Sequence, residues 1–102
     1  MLDLASVAQA IGARLVGANA VFYRVTTDSR DLRPGDLFVG IRGEHFDGQA
    51  FADQALSAGA AAVMLEPGAK ILTAHARVLE VDDTRLALGR LAGFWRARFA
   101  LP

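Results

Sequence analysis

Two short polar stretches of this 102-residue chain hold the residue types that can bind a ligand. The first is Thr27-Asp28-Ser29-Arg30. Directly after a strand, Ser29 offers a hydroxyl and a backbone N–H to a phosphate or a pyrimidine edge, and Arg30 adds a charge-assisted contact. The alternative for the same residues is an Asx or Ser/Thr turn that ends the strand, with Arg30 solvated or paired to Asp31 or Asp36. The second stretch is Gly43-Glu44-His45-Phe46-Asp47-Gly48. Its glycines let backbone approach a ligand closely, His45 or Phe46 can lie against a planar base, and Asp47 can order the loop or accept from a ribose hydroxyl. Here the alternative is a surface turn with Phe46 tucked into the core. Both stretches flank one apolar run, Leu37 to Ile41. Loops at the ends of buried strands are where folds of this kind bind ligands. The polar content suits an anionic, ring-bearing ligand.

Other chemistries are poorly served. There is no Cys, hence no disulfide, thiolate metal site or cysteine nucleophile. No Gly-x4-Gly-Lys-[Ser/Thr] loop exists, because Lys70 follows Pro67-Gly68-Ala69. His45 and His75 are far apart in sequence, so no metal site is expected. Ser6, Ser29 and Ser57 suggest no Ser-His-Asp arrangement, and no catalytic residue is expected. Asp82-Asp83 look like a carboxylate pair, but just before a helical pattern they are expected to cap it. Eleven basic and eleven acidic residues give zero net charge, which removes the footprint of a general nucleic-acid binder. All the basic residues but Lys70 are Arg, a bias that suits phosphate recognition and equally follows from a GC-rich genome. The N-terminal MLDLASVAQAIG has neither a basic flank nor a long apolar run, so the expectation is a soluble cytoplasmic protein without a membrane span.

The elements that must position these loops follow from periodicity. Leu4, Val7, Ala8 and Ile11 recur at helical spacing, with Asp3 as N-cap and Gly12 as the stop. Leu15 to Gly17 reads as a short strand and Val21 to Thr26 as one longer strand. Pro34-Gly35 fits a type II turn. Leu37 to Ile41, Ala60 to Leu65 and Val78 to Val81 read as buried strands. Phe51, Ala52, Ala55, Leu56 and Ala58 fall on a helix that Gly59 ends. A last helix carries Leu88, Leu91, Ala92, Trp95 and Phe99 on one face, and close packing is expected at Gly89 and Gly93. Strand and helix alternate from Phe38 onward, which predicts an α/β fold with some parallel neighbours. With 53% hydrophobic residues, the chain is expected to form a single domain over residues 1–102. Its ending after Arg96 and Arg98 suggests a domain edge within a longer protein.

The run TDSRDLRPGDLFVGIRGEHFDGQAFADQALSAGAAAVMLE resembles the N-terminal domain of the Mur ligases. Within them it resembles the MurF type, which joins D-alanyl-D-alanine to UDP-N-acetylmuramoyl-tripeptide. The family pattern is a DSR step, a PGDLFVA strand, a GExFDGH loop and a helix leading to GAxAV, and the likeness continues through Val81-Asp82-Asp83-Thr84-Arg85 to about Trp95. The sister MurE type, which adds the third amino acid, shares the first two features; Glu44-His45-Phe46 and Asp83-Thr84-Arg85 favour the MurF type. A stand-alone nucleotide-binding or partner-binding module and a ligand-free interaction domain are the remaining alternatives. The resemblance implies a small mixed β-sheet with flanking helices that docks the UDP moiety of a peptidoglycan precursor. By position, Thr27, Asp28, Ser29 and Arg30 would contact the nucleotide, and Gly43, Glu44, His45, Phe46 and Asp47 would cradle uracil and ribose or diphosphate. ATP and magnesium would belong to the central domain of a cytoplasmic bacterial enzyme serving cell-wall biogenesis, cell division and cell shape. That central domain would be the intramolecular partner, packing on an apolar patch near Leu91, Trp95 and Phe99. Gly40 stands where the family has Ala, a change expected to matter little, and Gln49 stands where it commonly has His.

Overall fold

The computed structural model describes residues 1–43 and 47–99. Glu44, His45 and Phe46, three of the candidate ligand residues, lie outside the described residues. Leu2–Asp3 (β1) runs directly into the helix Leu4–Ile11 (α1), whose buried stripe is Leu4, Val7, Ala8 and Ile11. Asp3 caps that helix as expected, its carboxylate accepting from the Ser6 N–H at 3.0 Å. Asn19 adds a second cap, accepting from the Ala5 N–H at 2.9 Å.

The remaining strands are Arg14–Val16 (β2), Val21–Phe22 (β3), Arg24–Thr26 (β4), Asp36–Val39 (β5), Ala62–Leu65 (β6) and Val78–Glu80 (β7). Five of them form a mixed sheet in the order β2-β7-β6-β5-β4. Only β2 is antiparallel to its neighbour; β4, β5, β6 and β7 run parallel. The single strand expected over Val21 to Thr26 is therefore two. Val21–Phe22 pairs with β1 in a separate ribbon, and Arg24–Thr26 joins the main sheet. Phe22 is fully buried while Tyr23 is turned to solvent, its N–H donating to Gly35 O at 3.2 Å. Alternating β-branched and aromatic residues could not reveal that change of partner.

Strands β5 and β6 are buried on both faces, which explains their lack of alternation in sequence. Leu37, Val39, Ala62 and Met64 face one core with α1 and the last helix, Thr84–Phe99 (α3). Phe38, Val63 and Leu65 face the other, covered by the helix Ala52–Ser57 (α2). The result is a small α/β sheet with helices on both sides, and each fully buried Phe, Leu or Met contributes about 1.5–3 kcal/mol. The Arg33 to Asp36 turn closes with Asp36 N–H on Arg33 O at 3.1 Å, and Gly35 holds φ +88, which a type II turn requires of its third residue.

The last helix buries Thr84, Ala87 and Leu91, with Leu88, Phe94 and Trp95 half-buried. Trp95 lies against Phe22 with ring centroids 6.0 Å apart and against Phe99 at 5.2 Å. Leu91 is thus core, while Trp95 is half-buried and Phe99 exposed beside it. Asp83 caps the helix, accepting from Arg85 N–H at 2.9 Å and Leu86 N–H at 3.1 Å, as expected of that residue of the pair. Gly89 and Gly93 contradict the expectation of close packing: a Cβ at either would meet nothing within 4 Å.

Candidate functional site

The first ligand loop is built by hydrogen bonds that begin at the end of β4. Thr26 is buried, and its hydroxyl accepts from Asp28 N–H at 3.1 Å while donating to Asp28 O at 3.3 Å. Asp28 then accepts from the Arg30 N–H at 2.9 Å, which tightens Ser29–Asp31 into a single 3-10 turn. Below the turn, Arg24 grips the buried Asp36, with Nε 3.1 Å from Oδ1 and Nη2 2.6 Å from Oδ2, and reaches Asp31 at 3.2 Å. Asp36 also accepts from Arg33 N–H at 2.9 Å. Burial, the largest single influence, pushes the Asp36 carboxyl up, but the Arg24 hydrogen bonds, the Arg33 N–H and the charges of both guanidinium groups together hold it below its usual range.

Arg30 pairs with neither Asp31 nor Asp36. Its Nε donates to Asp28 Oδ1 at 3.1 Å and its Nη2 to Asp28 Oδ2 at 3.2 Å. The guanidinium side-chain bonds hold the Asp28 carboxyl below its ordinary value and raise Arg30 in turn. Both residues are well exposed, so water screens this fork. The turn reading of these residues is therefore realised, and it coexists with a concavity.

Thr27, Asp28, Ser29 and Arg30 line a cavity of about 620 Å³ together with Phe38, Phe51 and Gln54. The volume lies in the range of small-molecule sites. Phe38 forms an apolar floor from β5, while Phe51 and Gln54 come from the start of α2, where a 3-10 turn, Gly48–Phe51, leads into the helix. Sequence reasoning assigned Phe51 to the hydrophobic face and overlooked Gln54. The available signal was spacing: positions 51 and 54 are three apart on a helix whose buried side is Ala52 and Ala55.

The second ligand loop has a defined stem. Gly40 N–H donates to Met64 O at 3.0 Å, Gly48 N–H donates to Ile41 O at 2.8 Å, and Arg42 faces Asp47 as an antiparallel bridge. The Asp47 carboxylate accepts from Gln49 N–H at 3.0 Å, so it orders the loop. Gly43 and Asp47 do not line the cavity beside Ser29. Gln49 is buried, and its Nε2 has no hydrogen-bond partner among the described residues. Gly40 proves consequential, against expectation: a Cβ there would lie 3.0 Å from Gln49 Cα, Gln49 Cγ and Leu65 Cδ2. Arg42 also approaches Glu66 at 3.6 Å, and Glu66 accepts from the Thr84 N–H at 3.0 Å, linking the loop stem to the start of α3.

A second cavity of about 380 Å³ opens between β4 and α3, walled by Val25, Leu88, Leu91 and Trp95. It lies apart from both ligand loops. Its lining surface is mostly apolar, and of its polar residues Tyr23, Arg24 and Arg96, Arg24 is already engaged by Asp36 and Asp31. The cavity beside Ser29 is the better candidate.

The chain has relatives among known proteins. Residues 21–96 match the model of the Mur ligase family, catalytic domain. The chain is 42% identical over 95 residues to UDP-N-acetylmuramoyl-tripeptide–D-alanyl-D-alanine ligase of Escherichia coli strain K12, covering 93% of this chain and 20% of that protein. It is 38% identical over 91 residues to UDP-N-acetylmuramoyl-L-alanyl-D-glutamate–2,6-diaminopimelate ligase of Streptomyces coelicolor, covering 87% of this chain and 18% of that protein. Among solved structures, the UDP-N-acetylmuramoylalanyl-D-glutamyl-2,6-diaminopimelate–D-alanyl-D-alanyl ligase of Acinetobacter baumannii superposes with a TM-score of 0.74 at 30% identity, over 94% of this chain and 22% of that one. The chain spans about a fifth of the length of the curated relatives it matches. A family match across most of its residues, joined to the same fold in a solved relative, establishes that the chain belongs to the Mur ligase family.

Proposed function

We propose that this chain is the N-terminal substrate-docking domain of a peptidoglycan-precursor ligase of the D-alanyl-D-alanine-adding type, and that it binds the UDP moiety of UDP-N-acetylmuramoyl-tripeptide. The observation that carries the reading is the 620 Å³ cavity at the carboxyl end of β4, which gathers Thr27, Asp28, Ser29 and Arg30 over an aromatic floor. D-alanyl-D-alanine ligases of three bacteria match at 42–44% identity, and the solved structure that superposes at a TM-score of 0.74 is of that type, which favours it over its sister. Gly43, Glu44, His45, Phe46 and Asp47 complete the substrate site in this reading.

ATP and magnesium do not fit the residues present. No group of three or more His, Asp or Glu is gathered among the described residues, and the sequence has no Gly-x4-Gly-Lys-[Ser/Thr] loop. ATP-driven amide-bond formation is accordingly assigned to other parts of a whole ligase, and the contribution of these residues is positioning and affinity rather than bond making. The intramolecular partner is the ligase's central domain, and the working place is the bacterial cytoplasm. Among the described residues no helix is long and apolar enough to cross a membrane.

Titration calorimetry of the chain with UDP-N-acetylmuramoyl-tripeptide, and separately with ATP, tests the proposal. Binding is expected for the precursor alone, weakened about fivefold by Ser29→Ala, the worth of one neutral hydrogen bond. Equal affinity for ATP, or no binding of the precursor, would overturn it.

A further inference from the structure

The polar groups around the cavity divide into two classes. Asp28 and Arg30 neutralise each other through a two-point fork and the Arg30 N–H, so the loop presents a compensated pair rather than a free cation. A diphosphate placed here would have to displace a carboxylate and lie beside it. The Ser29 hydroxyl and the Gln54 carboxamide, in contrast, make no hydrogen bond to any described residue. Phe38 and Phe51 line the same cavity. Neutral hydrogen-bonding groups at the rim of an aromatic floor suit a neutral planar ring with a polar edge, not an anion.

We propose that Gln54 makes a two-point contact to the imide edge of uracil, with Ser29 on the same ring, and that the diphosphate lies outside this cavity. The inference rests on the nucleotide-docking reading and names its ring subsite. A carboxamide carries a donor N–H and an acceptor C=O side by side. Uracil presents the complement, N3–H beside a carbonyl oxygen, so one amide satisfies both atoms. The helix supports that geometry: Gln54 projects from the first turns of α2, whose opposite side is anchored by buried Ala52 and Ala55. Rigid elements hold such contacts better than loops do.

The test is a chemical double-mutant cycle on the whole 102-residue chain, with UDP and N3-methyl-UDP as probes. Methylation removes the N3–H and blocks the edge. Wild type is expected to lose about tenfold in affinity on N3-methylation, the scale of one to two neutral hydrogen bonds. Gln54→Ala should bind UDP about tenfold more weakly and discriminate little between the two probes. Gln54 is exposed on its helix and Ala is a strong helix former, so the variant retains the fold, which its amide spectrum checks. If Gln54→Ala loses as much on methylation as wild type does, another residue reads the edge and the inference fails while nucleotide docking stands. If wild type binds both probes equally, the ring edge is not recognised. If wild type binds neither, the docking reading falls with it.

Discussion

Asp36 is the residue on which the first ligand loop rests. It is buried, takes two hydrogen bonds from Arg24, and accepts from the Arg33 N–H. Removing it strips Arg24 of its buried partner, leaving only the exposed Asp31, and orphans the Arg33 N–H. Asp36→Ala is therefore expected to destabilise the chain by about 3 kcal/mol in urea unfolding, whereas Asp31→Ala, on the exposed side of the same network, should stay within about 0.5 kcal/mol. Acid should act on the same interactions. Asp28 is held low by the Arg30 guanidinium, Asp53 by the Thr73 hydroxyl and nearby backbone N–H groups, and Asp36, against the larger opposing effect of burial, by Arg24 and Arg33 together. Carboxyls lower in the folded chain than in the unfolded one stabilise fully above the unfolded value and lose that contribution as pH falls through the folded one. Stability should hold near neutrality and decline below about pH 4; a stability that rises on acidification would contradict these assignments.

At the scale of elements, glycines that look alike in sequence predict opposite outcomes. Gly40 lies against Gln49 backbone and Leu65 at 3.0 Å, so Gly40→Ala must push the stem of the second loop and is expected to cost about 1–2 kcal/mol. Gly89 and Gly93 face open space within a helix, so Gly89→Ala or Gly93→Ala should stabilise by about 0.5–1 kcal/mol each. Chemical denaturation of the three variants decides both signs. Periodicity revealed α1, its Asp3 cap, the type II turn and the buried strands β5 and β6, because each is encoded by near neighbours in the chain. It could not reveal the break at Tyr23 or the β1–β3 ribbon, because a strand's partner is a long-range choice. Strand ends also fell short of the apolar runs: β5 stops at Val39, where Gly40 N–H turns to Met64 O. The candidate cavity was legible where turn chemistry marks its rim, in Asp28-Ser29-Arg30. Gln54 was not, since an exposed Gln on a helix becomes informative only when the fold carries it beside Ser29.

For the whole molecule, the sheet separates two surfaces of different character. On the α2 side, the cavity beside Ser29 combines aromatic floor and neutral polar rim. On the other, α3 and β4 border a largely apolar groove, and Leu86 and Phe99 are exposed at 60% and 45%. In the proposed ligase the first surface holds the nucleotide and the second meets the central domain. Glu66 lies between them, paired with Arg42 at the loop stem and bonded to Thr84 at the start of α3. The central claim is that the chain docks a uridine nucleotide in the α2-side cavity. An amide chemical-shift titration with UDP-N-acetylmuramoyl-tripeptide, controlled by UMP and ATP, tests it most directly. The account predicts shifts clustered at Ser29, Arg30, Gln54 and the Gly43 to Gly48 loop with the precursor, a subset of them with UMP, and none with ATP. Shifts confined to the α3 groove, or their absence at millimolar precursor, would contradict it.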